Sequence, residues 1–372
     1  VMRRDLLILT TIALALVAWL AWQTRPEPAR DGRLNTSNLL NDAPESFRQV
    51  TGPRPFEFPA DHAAHPGYRN EWWYFTGNLD GPDGDAWGFQ FTLFRFELDA
   101  GPRPDSAWTA DAVWMAHLAL SDADQGIFHQ AERFARGALD LAGATEKRWW
   151  LRDWQVTRNE TGFQLEAGTD SFGLDLAMEP IREVVRQGDR GYSQKGPQAG
   201  NASHYYSITR LKTKGAIQVD GETIPVDGLA WLDREWGSSQ LAGNLAGWDW
   251  FSLQLDDGRD LMVYRLRTED GEASRFSAGK VVYPDGDSRT LGRGDFTATP
   301  QRDWQDSEGH QWPVAWRVEV PSEDLNLAVE ARFDEQRWSG AVSYWEGAVG
   351  VRDAQTDKSM GRGYLELSGY AE

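Results

Sequence analysis

The sequence predicts an all-β protein of sandwich or barrel architecture. Two observations carry that reading. From Phe56 onward, short runs of alternating apolar and polar residues follow one another, separated by Gly, Asp and Pro clusters. Such period-two alternation marks half-buried strands. No long stretch carries a competing helical period, and many strands at short spacing belong to sandwiches and barrels.

At the start of the chain, Arg3 and Arg4 precede nineteen uncharged residues, Leu6 to Thr24, and Arg25, Pro26 and Pro28 follow. At ~1.5 Å per residue a helix of that length reaches about 28 Å, close to the ~30 Å hydrocarbon core. Segment 1–25 is therefore expected to be a transmembrane anchor. Its basic flank would lie in the cytoplasm, and the rest outside a bacterial inner membrane, in the periplasm. A cleaved signal peptide, releasing a soluble periplasmic protein, is the alternative. Ala13 and Ala15 fit a cleavage site but leave a short apolar region, and Trp19 and Trp22 are poor there. Residues 26–55, rich in Pro, Asn, Ser, Asp and Arg, read as a linker.

Next come the strands. Alternation over 87–95 places Trp87, Phe89, Phe91 and Leu93 on one face, and 112–120 makes a second strand. Further strands are expected at 149–157, 203–211, 216–220, 228–236, 247–255, 260–267, 312–320, 325–333 and 363–370, with helical turns near 37–49 and 129–137. The segment Trp72-Trp-Tyr-Phe-Thr-Gly-Asn-Leu-Asp80 is similar to Trp248-Asp-Trp-Phe-Ser-Leu-Gln-Leu-Asp256. Each is followed by a Gly/Asp turn and another strand. This internal repeat predicts two related units, 56–240 and 241–372.

Composition narrows the function. A formal charge of −19 disfavours a nucleic-acid partner, which needs a cationic face. The absence of Cys removes disulfides, thiolate metal sites and a cysteine nucleophile. The 19 Trp are far above ordinary usage, and a buried indole N–H wants a partner, so part of this set is expected to line a cavity.

Two strands carry candidate chemistry. In 203–211, period two puts His204 and Tyr206 on one face, and in 228–236 it puts Trp231, Asp233 and Glu235 on one face. If both faces turn into a barrel, a carboxyl among aromatics gains a raised pKa and becomes a proton donor. The alternative is an ion pair of these acids with Arg210 or Arg234. His62 and His65 lack a third ligand nearby, so no metal is expected. His117 shares a face with Val113 and Met115, as a core residue or a cavity wall. No nucleophile elbow, phosphate loop or dinucleotide fingerprint occurs, and no cofactor is expected.

Segments 65–77, 88–95, 117–122, 128–136, 201–207, 228–237, 248–251 and 363–370, taken in this order, resemble the carotenoid 1,2-hydratase (CrtC) / AttH family of lipocalin-like proteins over residues 56–372. The resemblance implies two lipocalin-like antiparallel β-barrel domains. It also implies one of two activities. Hydratase members protonate the terminal alkene of an acyclic carotenoid without a cofactor, and water then adds to the cation. Their His and aromatic-x-Asp positions correspond here to His204, Tyr206, Trp231 and Asp233, with Glu235 beside them. Trp231 stands where a Tyr is usual and Tyr206 where a Trp is usual. The Trp-Leu-Asp-Arg-Glu-Trp-Gly run, 231–237, fits the AttH-like branch better. That branch sits beside ABC-transporter components. The resulting expectation is an envelope accessory protein that binds or carries an apolar, lipid- or isoprenoid-like ligand, with an ABC permease as partner. Trp72, Tyr74, Phe91, Trp114, His117, Trp231, Trp248 and Trp250 would contact the ligand. A carotenoid-type hydratase and a purely structural periplasmic module are the alternatives.

Overall fold

The structure, a computed structural model, describes residues 46–98, 106, 108–239, 241 and 244–371. The anchor expected at 1–25, and most of the helical turn expected at 37–49, lie outside the described residues. Among the described residues no helix is long and apolar enough to cross a membrane.

The described chain is all-β and forms two antiparallel sheets. The first contains β1 (Asn70–Asp80), β2 (Ala86–Glu97), β3 (Ala112–Asp122), β4 (Ile127–Arg136), β5 (Ala142–Ala144), β6 (Arg148–Leu151), β7 (Trp154–Arg158), β8 (Phe163–Gly168), β9 (Phe172–Pro180), β10 (Val185–Arg186), β11 (Tyr192–Gln194), β12 (Ala202–Val219) and β13 (Glu222–Gly237). The second contains β14 (Leu245–Leu255), β15 (Asp260–Thr268), β16 (Ala278–Val282), β17 (Ser288–Leu291), β18 (Thr297–Gln305), β19 (Gln311–Val320), β20 (Leu325–Ala331), β21 (Arg337–Ser339), β22 (Ser343–Asp353) and β23 (Ser359–Ser368).

The two strand orders are versions of one path: 4-3-2-1-13-12-9-8-7-6-5 and 17-16-15-14-23-22-20-19-18. Each unit opens with a four-strand meander. Its first strand pairs on the other side with the unit's last strand. The repeated Trp-x-[Tyr/Trp]-Phe motif occupies that first strand, β1 or β14, in both. Side chains confirm the equivalence. Asn78 of β1 donates to Gly363 O of β23 (3.0 Å), and Gln254 of β14 donates to Ala230 O of β13 (3.1 Å). Asn78 and Gln254 lie at the same offset from Trp72 and Trp248, so each unit grips the other through matching positions, as subunits do across a two-fold axis.

The first sheet curls into a near-barrel. Arg133 of the edge strand β4 reaches Gly168 O at the end of β8 (3.2 Å), tying that edge to the far half of the sheet. Its interior is a solid core that includes Trp73, Phe75, Phe91, Trp114, Trp149 and Trp154. The second sheet is a half-barrel over its own core, where Phe251 packs edge-on to Trp316 at 5.3 Å between ring centres. The outer faces of the two sheets pack against each other around a third cluster containing Tyr74, Tyr205, Trp231, Trp250 and Tyr264. At the closest approach a Cβ on Gly88 would lie 2.6 Å from the Ala348 Cβ, so glycine permits the contact.

This double packing explains the Trp-Trp-Tyr-Phe run of β1. Its odd-numbered residues Trp73 and Phe75 fill the barrel, its even-numbered residues Trp72 and Tyr74 face the other sheet, and nearly the whole strand is buried. A strand covered on both faces reads as a continuous apolar run. Three expectations need correction. Residues 129–137 lie mainly in β4, not in a helical turn; their partial exposure along nearly the whole strand fits its place at the sheet edge. The expected strand 149–157 is two strands, β6 and β7, because Arg152 takes a left-handed conformation (φ 58) in the turn between them. Within the expected linker, residues 46–55 pack on the first sheet: Phe47 and Val50 are buried, and Ser238 donates to Arg48 O at 2.5 Å.

Candidate active site between the two sheets

The cavity lies between the sheets rather than inside either barrel and has a volume of about 120 Å³. At ~30 Å³ per water in the liquid, about four waters, or a small organic group, would fit. Trp72, Tyr74, His117, Trp248 and Trp250 line it, as do Asp233 and Glu235. Trp231 is buried in the wall behind, hydrogen-bonded to Asp233. Phe91 and Trp114 do not reach the cavity, because they point from β2 and β3 into the barrel core.

Asp233 is the centre of the first wall. It is buried and accepts three hydrogen bonds: from Tyr205 Oη (2.7 Å), from Trp231 Nε1 (2.8 Å) and from Ser207 Oγ. Burial raises its pKa to about 6, against the three donors and the nearby Lys195 ammonium, which favour the ionised form. Glu235, on the same face, takes the Lys195 ammonium and the Ser203 hydroxyl. Burial lowers the Lys195 pKa to about 7.

His204 and Tyr206 are not with Asp233. Across β12–β13, Ser207 stands opposite Asp233 and Tyr205 opposite Glu235. Side chains directly opposite share a face, so His204 and Tyr206 fall on the other one. There Tyr206 bonds His62 Nδ1 (2.6 Å) and packs with Phe56 and Trp236. His65 is likewise structural: it stacks on Trp236 and lies between Asp61 and Glu71. Nearby, Arg234 is sandwiched over Trp73 and paired with Glu71 at 2.5 Å. Burial opposes ionisation of Glu71, yet Arg234, His65 and Arg95 hold its pKa down at about 2.

The second wall repeats the first. Tyr74 pairs with Asp233 across β1–β13, and Trp250 pairs with Glu366 across β14–β23. Glu366 is therefore the counterpart of Asp233. Burial raises its pKa to about 7 against the bond from Trp248 Nε1 (2.9 Å), and the Asp233 charge adds to the rise. Glu346 stands directly opposite Glu366 across β22–β23 and accepts from Tyr74 Oη. Burial and the facing Glu366 push its pKa well up. Two like charges directly opposite are unfavourable, so this pair holds a proton. Sequence reasoning missed Lys195, Tyr205, Glu346 and Glu366. The signal for Glu366 was present: it stands in the strand 363–370, and its place follows once the repeat is extended to the last strand of each unit.

An all-β protein with two equivalent sheets and an aromatic, carboxyl-bearing cavity between them is a recognisable class. Residues 49–370 match the AttH-like family model, and the chain belongs to that family. The crystal structure of a protein from Nitrosomonas europaea assigned to AttH is 35% identical, with a TM-score of 0.79 over 87% of this chain and 100% of that one. Kievitone hydratase from Nectria haematococca shares the fold at 13% identity, with a TM-score of 0.63 over 87% of this chain and 98% of that one. Among curated proteins, the dehydratase asqC of Emericella nidulans is 26% identical over 195 residues, 49% of this chain and 53% of that protein. The chain thus spans about half the length of that curated relative.

Proposed function

We infer that the chain is a cofactor-independent acid–base catalyst that adds water to, or removes it from, a carbon–carbon bond of an apolar substrate. The observation that carries this is Asp233: a carboxyl buried in an aromatic cavity, fixed by three donors, with a pKa near 6. At neutral pH roughly one molecule in ten holds the proton, enough to supply a general acid. In the hydration direction the Asp233 proton forms the new C–H bond with the alkene electron pair. The resulting cation lies among the faces of Trp72, Tyr74 and Trp250, each worth ~2 kcal/mol where water is excluded. Water then forms the C–O bond. The names of kievitone hydratase and the dehydratase asqC support the same reaction class, and the sheets read as two lipocalin-like units.

Binding and carriage of an apolar ligand is the second reading. The aromatic walls favour it, but it leaves the buried carboxyls without a task, and burying carboxyls is costly. The test is turnover of acyclic isoprenoid alkenes and the matching tertiary alcohols by the wild type and by Asp233→Asn, with ligand binding followed by Trp fluorescence. Loss of turnover with retained binding supports the enzyme. Binding by both proteins without turnover by either supports the carrier. The inner-membrane anchor at 6–24 and the ABC permease partner stand as proposals resting on the sequence, tested by membrane fractionation and co-purification.

A further inference from the structure

A second set of proton-bearing groups leads out of the cavity on the side away from Asp233. Tyr74 Oη donates to Glu346, and Glu366 stands directly opposite Glu346 across β22–β23, on the same cavity wall. The Tyr344 hydroxyl lines the same cavity as Glu346 and acts on its charge. Tyr344 Oη lies 2.6 Å from His117 Nδ1, and His117 Nε2 lies 3.0 Å from Glu132 Oε2. Glu132 is the end of this row: its side chain is 19% exposed, whereas His117 is fully buried. The ring of Trp338 stacks on His117 at 4.1 Å, and Ala341 N donates to Glu132 at 3.1 Å, so both are held in place.

Each member of the row can accept one proton and release another, the carboxyls and the imidazole at two different atoms and the tyrosines at their single Oη. One orientation of the hydrogens carries a proton along the row once Glu366 closes on Tyr74 Oη and Glu346 on Tyr344 Oη. Glu366 donates to Tyr74 Oη, Tyr74 to Glu346, Glu346 to Tyr344 Oη, Tyr344 to His117 Nδ1, and His117 Nε2–H to the Glu132 carboxylate. Burial lowers the His117 pKa, so its Nδ1 is free to accept. Burial opposes ionisation of Glu132, but its bonds to His117 and Ala341 prevail and keep it a carboxylate.

We propose that Glu366 and Glu346 form a second catalytic site, which takes the proton of the adding water, and that Tyr344, His117 and Glu132 conduct that proton to solvent. The proposal rests on the hydration reading above and completes its balance. Asp233 loses a proton to carbon and water loses one to Glu366, so each turnover leaves Asp233 ionised and Glu366 protonated. Asp233 regains its proton from water when the product leaves. Glu366 cannot receive another proton until it has discharged, and the row offers a route that does not wait for the product to leave the cavity. In dehydration every step reverses, with Glu366 protonating the departing hydroxyl. The equivalence of Asp233 and Glu366 in the duplicated fold explains why two acids face one cavity from opposite sheets.

Two measurements test this. The first is independent of any substrate. On mixing the full chain into D₂O, the infrared C=O band of the protonated carboxyl, assigned by its loss in Glu346→Gln, shifts as the proton exchanges. In Tyr344→Phe, which keeps the ring and removes the link, exchange is expected to slow by about tenfold or more. Equal rates in the two proteins overturn the relay. The second uses a turned-over substrate. His117→Ala is expected to lower kcat by about tenfold or more with KM within about twofold, and added imidazole is expected to restore it. If Asp233→Asn is inactive while His117→Ala and Tyr344→Phe keep wild-type kcat, the hydration reading survives and this proposal falls. If the wild type turns over no alkene or alcohol, the hydration reading falls, and the exchange measurement alone decides the relay.

Discussion

Replacing Asp233 with Asn tests stability and chemistry together. The Asp233 carboxyl titrates near pH 6 in the folded protein, up from 3.8. Between those values the native state keeps a proton that the unfolded chain has released. The fold therefore weakens through this group as pH rises, by about 3 kcal/mol once both states are ionised. Asn occupies the same volume and does not titrate, so the variant lacks that loss. Denaturant unfolding at a series of pH values from about 4 to about 7 gives both stabilities. Wild-type stability minus variant stability is expected to decline by about 2.4 kcal/mol across the series. Turnover of the cognate alkene or alcohol is expected to fall by ~10²–10⁴. A difference that stays flat, or grows with pH, would refute the claim that Asp233 is a destabilised, proton-holding carboxyl. It would mark the group instead as an ion-pair partner of Lys195.

Other expectations follow from neighbouring contacts. Tyr205→Phe removes the 2.7 Å donor to Asp233; the pH–rate limb set by that acid should move up by about one unit, for a loss of ~1.5 kcal/mol on the ionised form. Glu71→Gln strands the buried Arg234 guanidinium, and urea unfolding should report a loss of ~3–5 kcal/mol. Burial, then the charges of Arg158 and Arg234, lower the His62 pKa from 6.5 to about 3. Stability should fall as pH drops below about 6.5, with a loss of about 4 kcal/mol by pH 3, and His62→Gln should lack this component in acid titrations. Gly88→Leu drives a side chain against Ala348 at the sheet contact; thermal unfolding should register a cost of ~1–3 kcal/mol.

Strand existence was largely legible in the sequence, and so was the repeat, because alternation and turn residues are local signals. The face of each strand was not. Residues Ala202 to Thr209 of β12 and Ala230 to Gly237 of β13 are buried on both faces, so hydrophobicity does not reveal which parity faces which neighbour. A slip of one residue exchanges the two faces, and His204 and Tyr206 were thereby placed beside Asp233 when Tyr205 and Ser207 are its partners. Asp233, Trp72, Trp248 and Trp250 were found because they stand in recognisable motifs. Lys195 comes from the short segment after β11, and Glu346 from a strand without a distinguishing pattern; only tertiary packing brings them in.

The reciprocal grip of Asn78 and Gln254 has a further implication. A homodimer with this geometry would have a cavity straddling its own symmetry axis and would be bound to line it with two copies of the same acid. Joining the halves in one chain removes that obligation. Here one side has kept an Asp among neutral donors, and the other has acquired a Glu–Glu pair coupled to a histidine. The lining aromatics belong to neither barrel core, so each half can vary its contribution without unsettling the packing that folds it. Covalent linkage thus permits a site with a distinct front and back where a symmetric interface would have two identical faces.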